Sequence, residues 1–569
     1  MDSLLIVLIG VAIVIGGVLL FRLHAFLALT LAALAVSVLT PRSSVDKFYL
    51  DKNKIKFVIS EEDSNTFQLN LSKRDDLHQS QNFLIMRPGS GWSLAEEVGE
   101  LKVSHFDRNI LADGSTQTLA NASPVDHYSY QESDIIVHAT DRAAAEKAAS
   151  KTVGERVAEA FGSTCTKIAI LIAMASIIGK CLLDSGSADR IIRSSLNVVG
   201  EKGAPIAFIF SGFLLAIPVF FDTVFYLMIP LAKALRMRTG KNYLLYVLTI
   251  IIGGTMAHSL VPPTPGPLIV VEQFNLDIGT MILGGCIVGL FTSTAGYFYA
   301  ITINKFWVLP LRETPDMSLE DLKLIVAKDE SELPPLWISL LPIILPVVLI
   351  AGYTILKILL GSEDSFLSGI LGSSSDTVMY LAKTFGNKNI ALGISAVIAM
   401  LTMVVYCKTT KKELAKSVQT ALASGGVVIL ITAAGGAFGG MLRETGIADY
   451  LSGMTSQEPF IILLIAYGLT MAIRTAQGSS TVAMITAAGI LSPMATAEML
   501  DFHPVYLALA VGCGSKPIAW MNDSGFWIMC KMSGMTEIEG LKAITPMSLF
   551  ISVVGLLVTI VGAMWLPLD

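Results

Sequence analysis

The chain has 569 residues, of which 53% are hydrophobic and only 15% charged, and its net charge is −6. Soluble domains carry about 25% charged residues, so an ordinary cytosolic enzyme and a disordered chain are both ruled out, and the acidic balance leaves no cationic footprint for nucleic acid. Six cysteines stand apart in apolar stretches without paired spacing, which argues against a disulfide framework or a zinc site; the pattern asks for no metal and no organic cofactor.

The N-terminus reads as two membrane spans, roughly 3–21 and 25–41. It begins with an acidic residue and runs straight into the second span, unlike a cleaved signal peptide. Residues 43–150 carry most of the soluble-type sequence. Ile55, Phe57 and Ile59 alternate, as do Phe67, Leu69 and Leu71, around the turn-rich EEDSN at 61–65; this spacing predicts a β-hairpin, and DIIVHA at 134–139 predicts another strand. Residues 141–163 read as one amphipathic helix leading into the third span. The segment 43–150 is thus expected to be a small extramembrane α+β insert, a structural cap or an oligomer contact.

Beyond it, apolar segments recur near 164–183, 204–235, 243–275, 278–301, 336–360, 389–406, 418–442, 459–497, 503–530 and 545–567. Thirty residues between Lys241 and Glu272 contain no Asp, Glu, Lys or Arg. About 20 apolar residues span a bilayer as a helix, whereas barrel strands alternate over about 10. The expected fold class is an all-α polytopic membrane protein carrying the α+β insert.

Cytoplasmic loops concentrate Lys and Arg. Positive clusters at Arg22, at 190–202, at 236–241, in the loop 303–335, at 408–416 and at Lys531 with Lys542 place these on the cytoplasmic side, and both termini and the insert on the outer side of a cell inner membrane. Segment 204–235 is flanked by basic residues at both ends and is too short for two full spans. It reads as a re-entrant hairpin, and 459–497 shows the same trait from the other side. Lys233, near a predicted membrane end, is expected to snorkel.

The halves repeat. Gly179, Leu182, Gly186, Ala188 and Asp189 recur 260 positions later as Gly439, Leu442, Gly446, Ala448 and Asp449, and VPPTPGP at 261–267 falls where MNDSG at 521–525 falls. The first repeat core (151–302) and the second repeat (336–569) each carry a hairpin (204–235, 459–497), a broken helix (243–275, 503–530) and a final helix. The loop charges make the hairpins enter from opposite sides, an inverted repeat typical of secondary transporters with a midplane site.

At these motifs the chain resembles the gluconate permease family of proton-coupled sugar-acid symporters. The matching stretches are FFDTVFYLMIPL (220–231), AHSLVPPTPGP (257–267), AGGAFGGMLRETG (434–446), IRTAQGSSTVAMITAAGI (473–490) and MNDSGFW (521–527). The resemblance covers 1–42 and about 150–569. It implies proton-driven import of gluconate or a related hydroxy acid and the ion-transporter type of fold, dimeric, with a scaffold and a moving transport domain. Thr264, Lys516 (followed by Pro517) and Trp520 depart from the residues expected at those places.

A sugar acid brings one carboxylate and several hydroxyls. Half-helix N-termini supply free N–H groups and positive potential, and glycine lets backbone approach a ligand. Gly478, Ser479, Ser480 and Thr481 are therefore a candidate hairpin-tip site, with Asp222 and Thr223 at the opposing tip and Thr264 and Gly266 in the first break. Ionisable residues at membrane depth are costly and functional: Arg474 suits a bidentate carboxylate contact or a structural ion pair, and Asp523 with Asn522 suits sugar hydroxyls, or Asp523 neutralises Lys516. Asp222 and His258 are the candidates for the transported proton. Expected partners are a small sugar acid, protons, membrane lipid and a second copy of the chain. Sodium coupling through Ser479 and Thr481, or transport of glycerate, a keto-acid or a hydroxy amino acid, stands as the alternative. No HExxH, GxSxG or Cys/His pairing supports an enzyme, and a solute receptor signalling through the insert is the remaining rival.

Overall fold

A computed structural model describes residues 3–59, 66–71, 77, 82–110, 116–125, 131, 133–312, 333–360, 375–446, 459–495, 500–521 and 523–568. Among the described residues, nine helices are long and apolar enough to cross a membrane. The chain forms two compact units. One comprises Met1–Ala12, Leu31–Ala160 and Gly440–Gly453; the other comprises Ile13–Thr30, Phe161–Gly439 and Met454–Asp569.

In the first unit, α1 (Ser3–Leu19) and α2 (Ala25–Leu39) supply helix ends, and α3 (Arg42–Lys52) turns 97° away from α2 at Pro41. Proline removes a backbone donor and holds the residue before it extended, so the helix stops there. A six-stranded antiparallel sheet follows, built from β1 (Lys56–Ile59), β2 (Phe67–Asn70), β3 (Phe83–Arg87), β4 (Glu96–Ile110), β5 (Thr116–Pro124) and β6 (Ile135–His138), in the order β1-β2-β5-β4-β3-β6. β1 and β2 pair with Ile59 opposite Phe67, the register the alternation predicts; the EEDSN turn lies outside the described residues. Ile55 N–H donates to the Ile136 carbonyl at 2.9 Å, which brings the two ends of the sheet together. The apolar cluster inside draws Ile55, Phe67, Phe83, Leu101, Ala120 and Ile136 from around the sheet. On the other face Leu50 of α3, Met86, Val137 and Ala145 of α4 (Ala139–Ser150) pack together. Arg87 grips Asp134 through two bonds of 2.9 and 3.1 Å, and Arg142 reaches the buried Asp46 at 3.0 Å.

The single helix expected over 141–163 is instead two. α4 ends at Ser150, and α5 (Val153–Asp184) starts afresh after Lys151. The cause is a capping box: Glu155 accepts from the Thr152 N–H at 2.8 Å, and the Glu155 N–H donates back to the Thr152 hydroxyl at 3.3 Å. Reciprocal capping of this kind fixes a helix start.

The second unit contains α6 (Ser187–Leu215), α7 (Phe221–Thr239), α8 (Tyr243–Leu260), α9 (Pro265–Gln273), α10 (Ile278–Phe306), α11 (Leu336–Leu360), α12 (Ser375–Phe385), α13 (Lys388–Tyr406), α14 (Lys411–Arg443), α15 (Pro459–Gln477), α16 (Ser480–Leu491), α17 (Val505–Gly514), α18 (Ser524–Ser533) and α19 (Glu537–Trp565), with the N-terminal end of α5 and the last residues of α14 belonging to the first unit. α12 was not expected as a helix. The expected hairpins correspond to α6 with α7, broken at 216–220, and α15 with α16, broken at Gly478 and Ser479. The first arm of the former is marked off inside α6 by Gly200 (φ 67°). The broken helices correspond to α8–α9, interrupted at 261–264, and α17–α18, interrupted at 515–523. Lys233 does not snorkel: its side chain is 1% exposed, enclosed on α7.

The two halves share an order of elements and a packing scheme. α8 packs on α6, α7 and α10, and α17 packs on α15, α16 and α19. The second pieces cross over: α7 packs on α18, and α16 packs on α9. Gly186 and Gly446, paired by the internal repeat, both take left-handed backbone (φ 72° and 77°) just after α5 and α14; only glycine does so without strain. Ala448 and Asp449 lie outside the described residues.

Close glycine contacts set the helix crossings. A Cβ added to Gly253 of α8 would lie 2.2 Å from the Ile209 carbonyl oxygen of α6, whereas one added to Gly393 of α13 meets nothing within 4 Å. Overpacking against backbone costs about 1–3 kcal/mol. Gly253→Ala is expected to lower the melting temperature of the detergent-solubilised protein by several degrees and Gly393→Ala to leave it unchanged or higher, as read by scanning fluorimetry; equal shifts would refute the crossing assignment.

Candidate functional site

The breaks in the second unit open onto one cavity of about 310 Å³, at the lower end of the size range of small-ligand sites, about 300–1,000 Å³. First turns of four helices line it: Phe221 and Asp222 of α7, Pro265 of α9, Ser480 to Val482 of α16, and Ser524 and Gly525 of α18. Each such terminus carries a partial positive charge; Pro265 and Pro267 leave α9 with few N–H groups, and Ser479 and Asp523 cap one N–H each at the starts of α16 and α18. The remaining wall comes from single helix faces, namely Ile251, Thr255 and His258 of α8, Val428, Ile431 and Thr432 of α14, and Ile544, Met547, Ser548 and Ile551 of α19. Their spacings of three, four and seven residues put each set on one side of its helix. The cavity is therefore polar and charged at the breaks and largely apolar opposite.

Irregular backbone at membrane depth must find partners inside the protein, and the break 515–523 does. The Ser515 carbonyl ends α17 and accepts from Arg474 Nε at 3.1 Å and from the Ser480 hydroxyl at 2.9 Å. The Ser515 hydroxyl lies 3.1 Å from that of Ser259 on α8. The Thr545 hydroxyl donates to the Ala519 carbonyl, the Ala519 N–H reaches Ser548 at 3.3 Å, and the Trp520 indole donates to the Thr475 carbonyl at 3.0 Å. Trp520, one of the departures noted in the sequence, thus ties the second break to α15.

Arg474 is 3% exposed. Its Nη2 pairs with Asp523 at 2.5 Å, and Asp523 also caps α18 by accepting from the Gly525 N–H at 2.8 Å. Two of the guanidinium's three nitrogens are thereby committed. Nη1 is buried and has no hydrogen-bond partner among the described residues. The bidentate fork expected for substrate is therefore spent on the protein, and one edge remains. Lys516 is 7% exposed and lines the same cavity, and its ammonium makes no hydrogen bond or ion pair among the described residues. It is Arg474, not Lys516, that neutralises Asp523 directly. The Asp222 carboxylate faces Gly525: a Cβ placed there would lie 3.2 Å from Asp523 Oδ1 and 3.8 Å from Asp222 Oδ1. His258 lines the cavity with Nδ1 buried and unpartnered among the described residues.

Of the residues singled out in the sequence, Asp222, His258, Arg474, Gly478, Ser479, Ser480, Thr481 and Asp523 come together around this cavity. Asn522 lies outside the described residues. Thr223 instead faces a separate small cavity of about 90 Å³ with Ser176 and Thr420. Thr264 is 4% exposed and its hydroxyl donates to the Val261 carbonyl at 2.7 Å, closing the turn of the first break. Gly266 makes room for Met484, whose Cε would lie 1.9 Å from an added Cβ; its role there is close packing of α9 on α16. Ser515, Ser259, Ser548 and Thr432 were not anticipated. Ser515 precedes Lys516 and ends an uncharged run, a signal available in the sequence. The others are ordinary small polar residues in apolar helices.

Among solved structures, the fold is similar to the Alcanivorax borkumensis YdaH transporter (TM-score 0.50, 15% identity, covering 78% of this chain and 94% of that one). It is likewise similar to Neisseria gonorrhoeae MtrF, described as one of a class of antimetabolite efflux pumps (TM-score 0.53, 16% identity, covering 78% and 90%). Among sequences, an uncharacterized permease of Haemophilus influenzae is 32% identical over 67% of this chain and 77% of its own length. A gluconate permease of Pseudomonas aeruginosa is 29% identical over 70% and 85%, and the Gnt-II system L-idonate transporter of Escherichia coli is 28% identical over 73% and 89%. The family model described as GntP family permease matches residues 134–565. The relatives are permeases rather than enzymes, and the chain belongs to the GntP permease family as a multi-pass membrane protein.

Proposed function

We propose that the protein imports gluconate or a closely related sugar acid by proton symport, binding the acid in the cavity between the two hairpin tips. The observation that carries this reading is the convergence of four helix N-termini, the unpartnered Nη1 of Arg474 and the Lys516 ammonium on one cavity. Unsatisfied donors buried at membrane depth are costly, and a carboxylate supplies the missing acceptors. Ser479, Ser480, Thr481 and Ser548 supply hydroxyls for a polyol chain. The names of the gluconate and L-idonate relatives support the same substrate class.

Asp222 is the proposed proton carrier. It stands in the first turn of α7 beside Asp523 and within the field of Lys516, and no hydrogen bond holds its carboxylate among the described residues. Two carboxylates around one glycine cannot both stay charged at low cost, so Asp222 takes a proton when a third, the substrate's, arrives. The crossed packing of α7 on α18 and α16 on α9 supports reading the halves as an inverted repeat, and hence alternating access by movement of the hairpins and broken helices against the remaining helices. In this reading the carrier is a homodimer, 303–335 is cytoplasmic and 43–150 is extracytoplasmic.

Asp222→Asn is expected to abolish accumulation of gluconate driven by an inward proton gradient in proteoliposomes while preserving gluconate counterflow, because exchange needs no net proton movement. Wild-type uptake that ignores the imposed pH gradient and follows sodium at fixed pH would refute proton coupling. Arg474→Lys keeps a charge but cannot hold Ser515 and Asp523 and still offer a free edge. It is expected to raise the KM for gluconate roughly 10- to 100-fold, the loss of one charge-assisted hydrogen bond of about 1.5–3 kcal/mol; an unchanged KM would remove Arg474 from the site.

A further inference from the structure

The ionisable side chains lining the cavity are Asp222 on α7, His258 on α8, Arg474 on α15, and Lys516 and Asp523 in the break between α17 and α18. These are also the charged groups that face Lys516: Arg474, Asp523 and Asp222 act on its ammonium, and Lys516 in turn acts on His258. With His258 neutral, two cations balance two carboxylates in the empty cavity. A monoanion entering alone would leave one negative charge enclosed; a monoanion entering with one proton on Asp222 restores neutrality. Without Lys516 the loaded state would keep one negative charge even with Asp222 protonated. Moving an uncompensated charge through a low-dielectric interior is expensive, so a carrier that is neutral both empty and loaded crosses most easily.

We infer that Lys516 is the second point of attachment for the substrate's carboxylate, shared with the open edge of Arg474, and the charge that makes transport electroneutral at one proton per monoanion. The inference rests on the symport reading above and extends it in two respects, the residue and the stoichiometry. Its geometry is that of an ammonium 7% exposed, unpaired among the described residues, lining the same cavity as the spare Nη1 of a guanidinium otherwise occupied by Ser515 and Asp523. Lysine suits this role because its ammonium is a point donor that can follow a ligand, whereas the bound guanidinium is fixed.

The test uses the full-length protein in proteoliposomes, with labelled gluconate as probe and a potassium diffusion potential set by valinomycin. Wild-type uptake under a fixed pH gradient is expected to be insensitive to the sign of the potential, with one proton entering per gluconate. Lys516→Gln removes one positive charge. Asp222 then stays protonated in both states, and the loaded site carries a net negative charge. Residual uptake is expected to lose its dependence on the pH gradient, to show a KM raised roughly 10- to 100-fold, and to be opposed by an inside-negative potential. For one whole charge that opposition amounts to about 50-fold in accumulation ratio per 100 mV. Lys516→Arg, which keeps the charge, is expected to restore voltage insensitivity, and scanning fluorimetry confirms that the variants fold. A Lys516→Gln protein that is merely slower, still proton-coupled and still voltage-insensitive, would overturn the inference. So would wild-type uptake that is proton-driven but accelerated by an inside-negative potential, a result that leaves the symport reading standing. Wild-type protein that moves gluconate without regard to pH would instead remove the symport reading itself.

Discussion

The Ser515 carbonyl organises the site. A helix that stops in the middle of a membrane leaves acceptors that water cannot reach. Here the last acceptor of α17 takes one bond from Arg474 and one from Ser480, which fastens the end of one half-helix to the stem and the tip of the neighbouring hairpin. Arg474 then turns its other face to Asp523 at the start of α18, so a single guanidinium holds both sides of the nine-residue gap. What this bonding leaves over is one buried, unpartnered nitrogen of Arg474, beside the ammonium of Lys516 and the first turns of four helices that line the cavity. In the proposed reading, recognition is built from the remainder of a structural obligation.

The opposite wall is different in kind. Val428, Ile431, Met547 and Ile551 offer no partners, and their helices, α14 and α19, are continuous through the region. The ionisable side chains of the cavity belong to interrupted elements, and these apolar ones to whole helices. That division matches the proposed separation of moving and stationary parts, since an apolar surface can slide without breaking hydrogen bonds.

Much of this was legible in the sequence, for identifiable reasons. Long uncharged runs predict spans because the bilayer admits little else. Glycines 260 positions apart predict a repeat because Gly186 and Gly446 both require left-handed backbone. The motif at 478–481 lies where the cavity is. Partnerships across distance were not legible: the sequence allows Arg474 to face a ligand or an aspartate, and only the fold brings Asp523, 49 residues away, to it. Thr264 and Gly266 share the motif's composition but serve a turn and a close contact, because a break needs residues that make it as well as residues that use it. In the insert, β3, β4 and β5 were missed because β4 is charged on its open face and alternates weakly, while the separation of α4 from α5 was written in the Thr152–Glu155 spacing and overlooked.

The bond from Ile55 to Ile136 also bears on biogenesis. An unpaired strand at a sheet margin invites pairing with another chain, and a polar segment of this size emerges while hydrophobic helices on both sides await insertion. Joining the residue before the first strand to the last strand covers part of that margin during the crowded interval. The insert can then settle by itself without recruiting a second nascent polypeptide into its ladder.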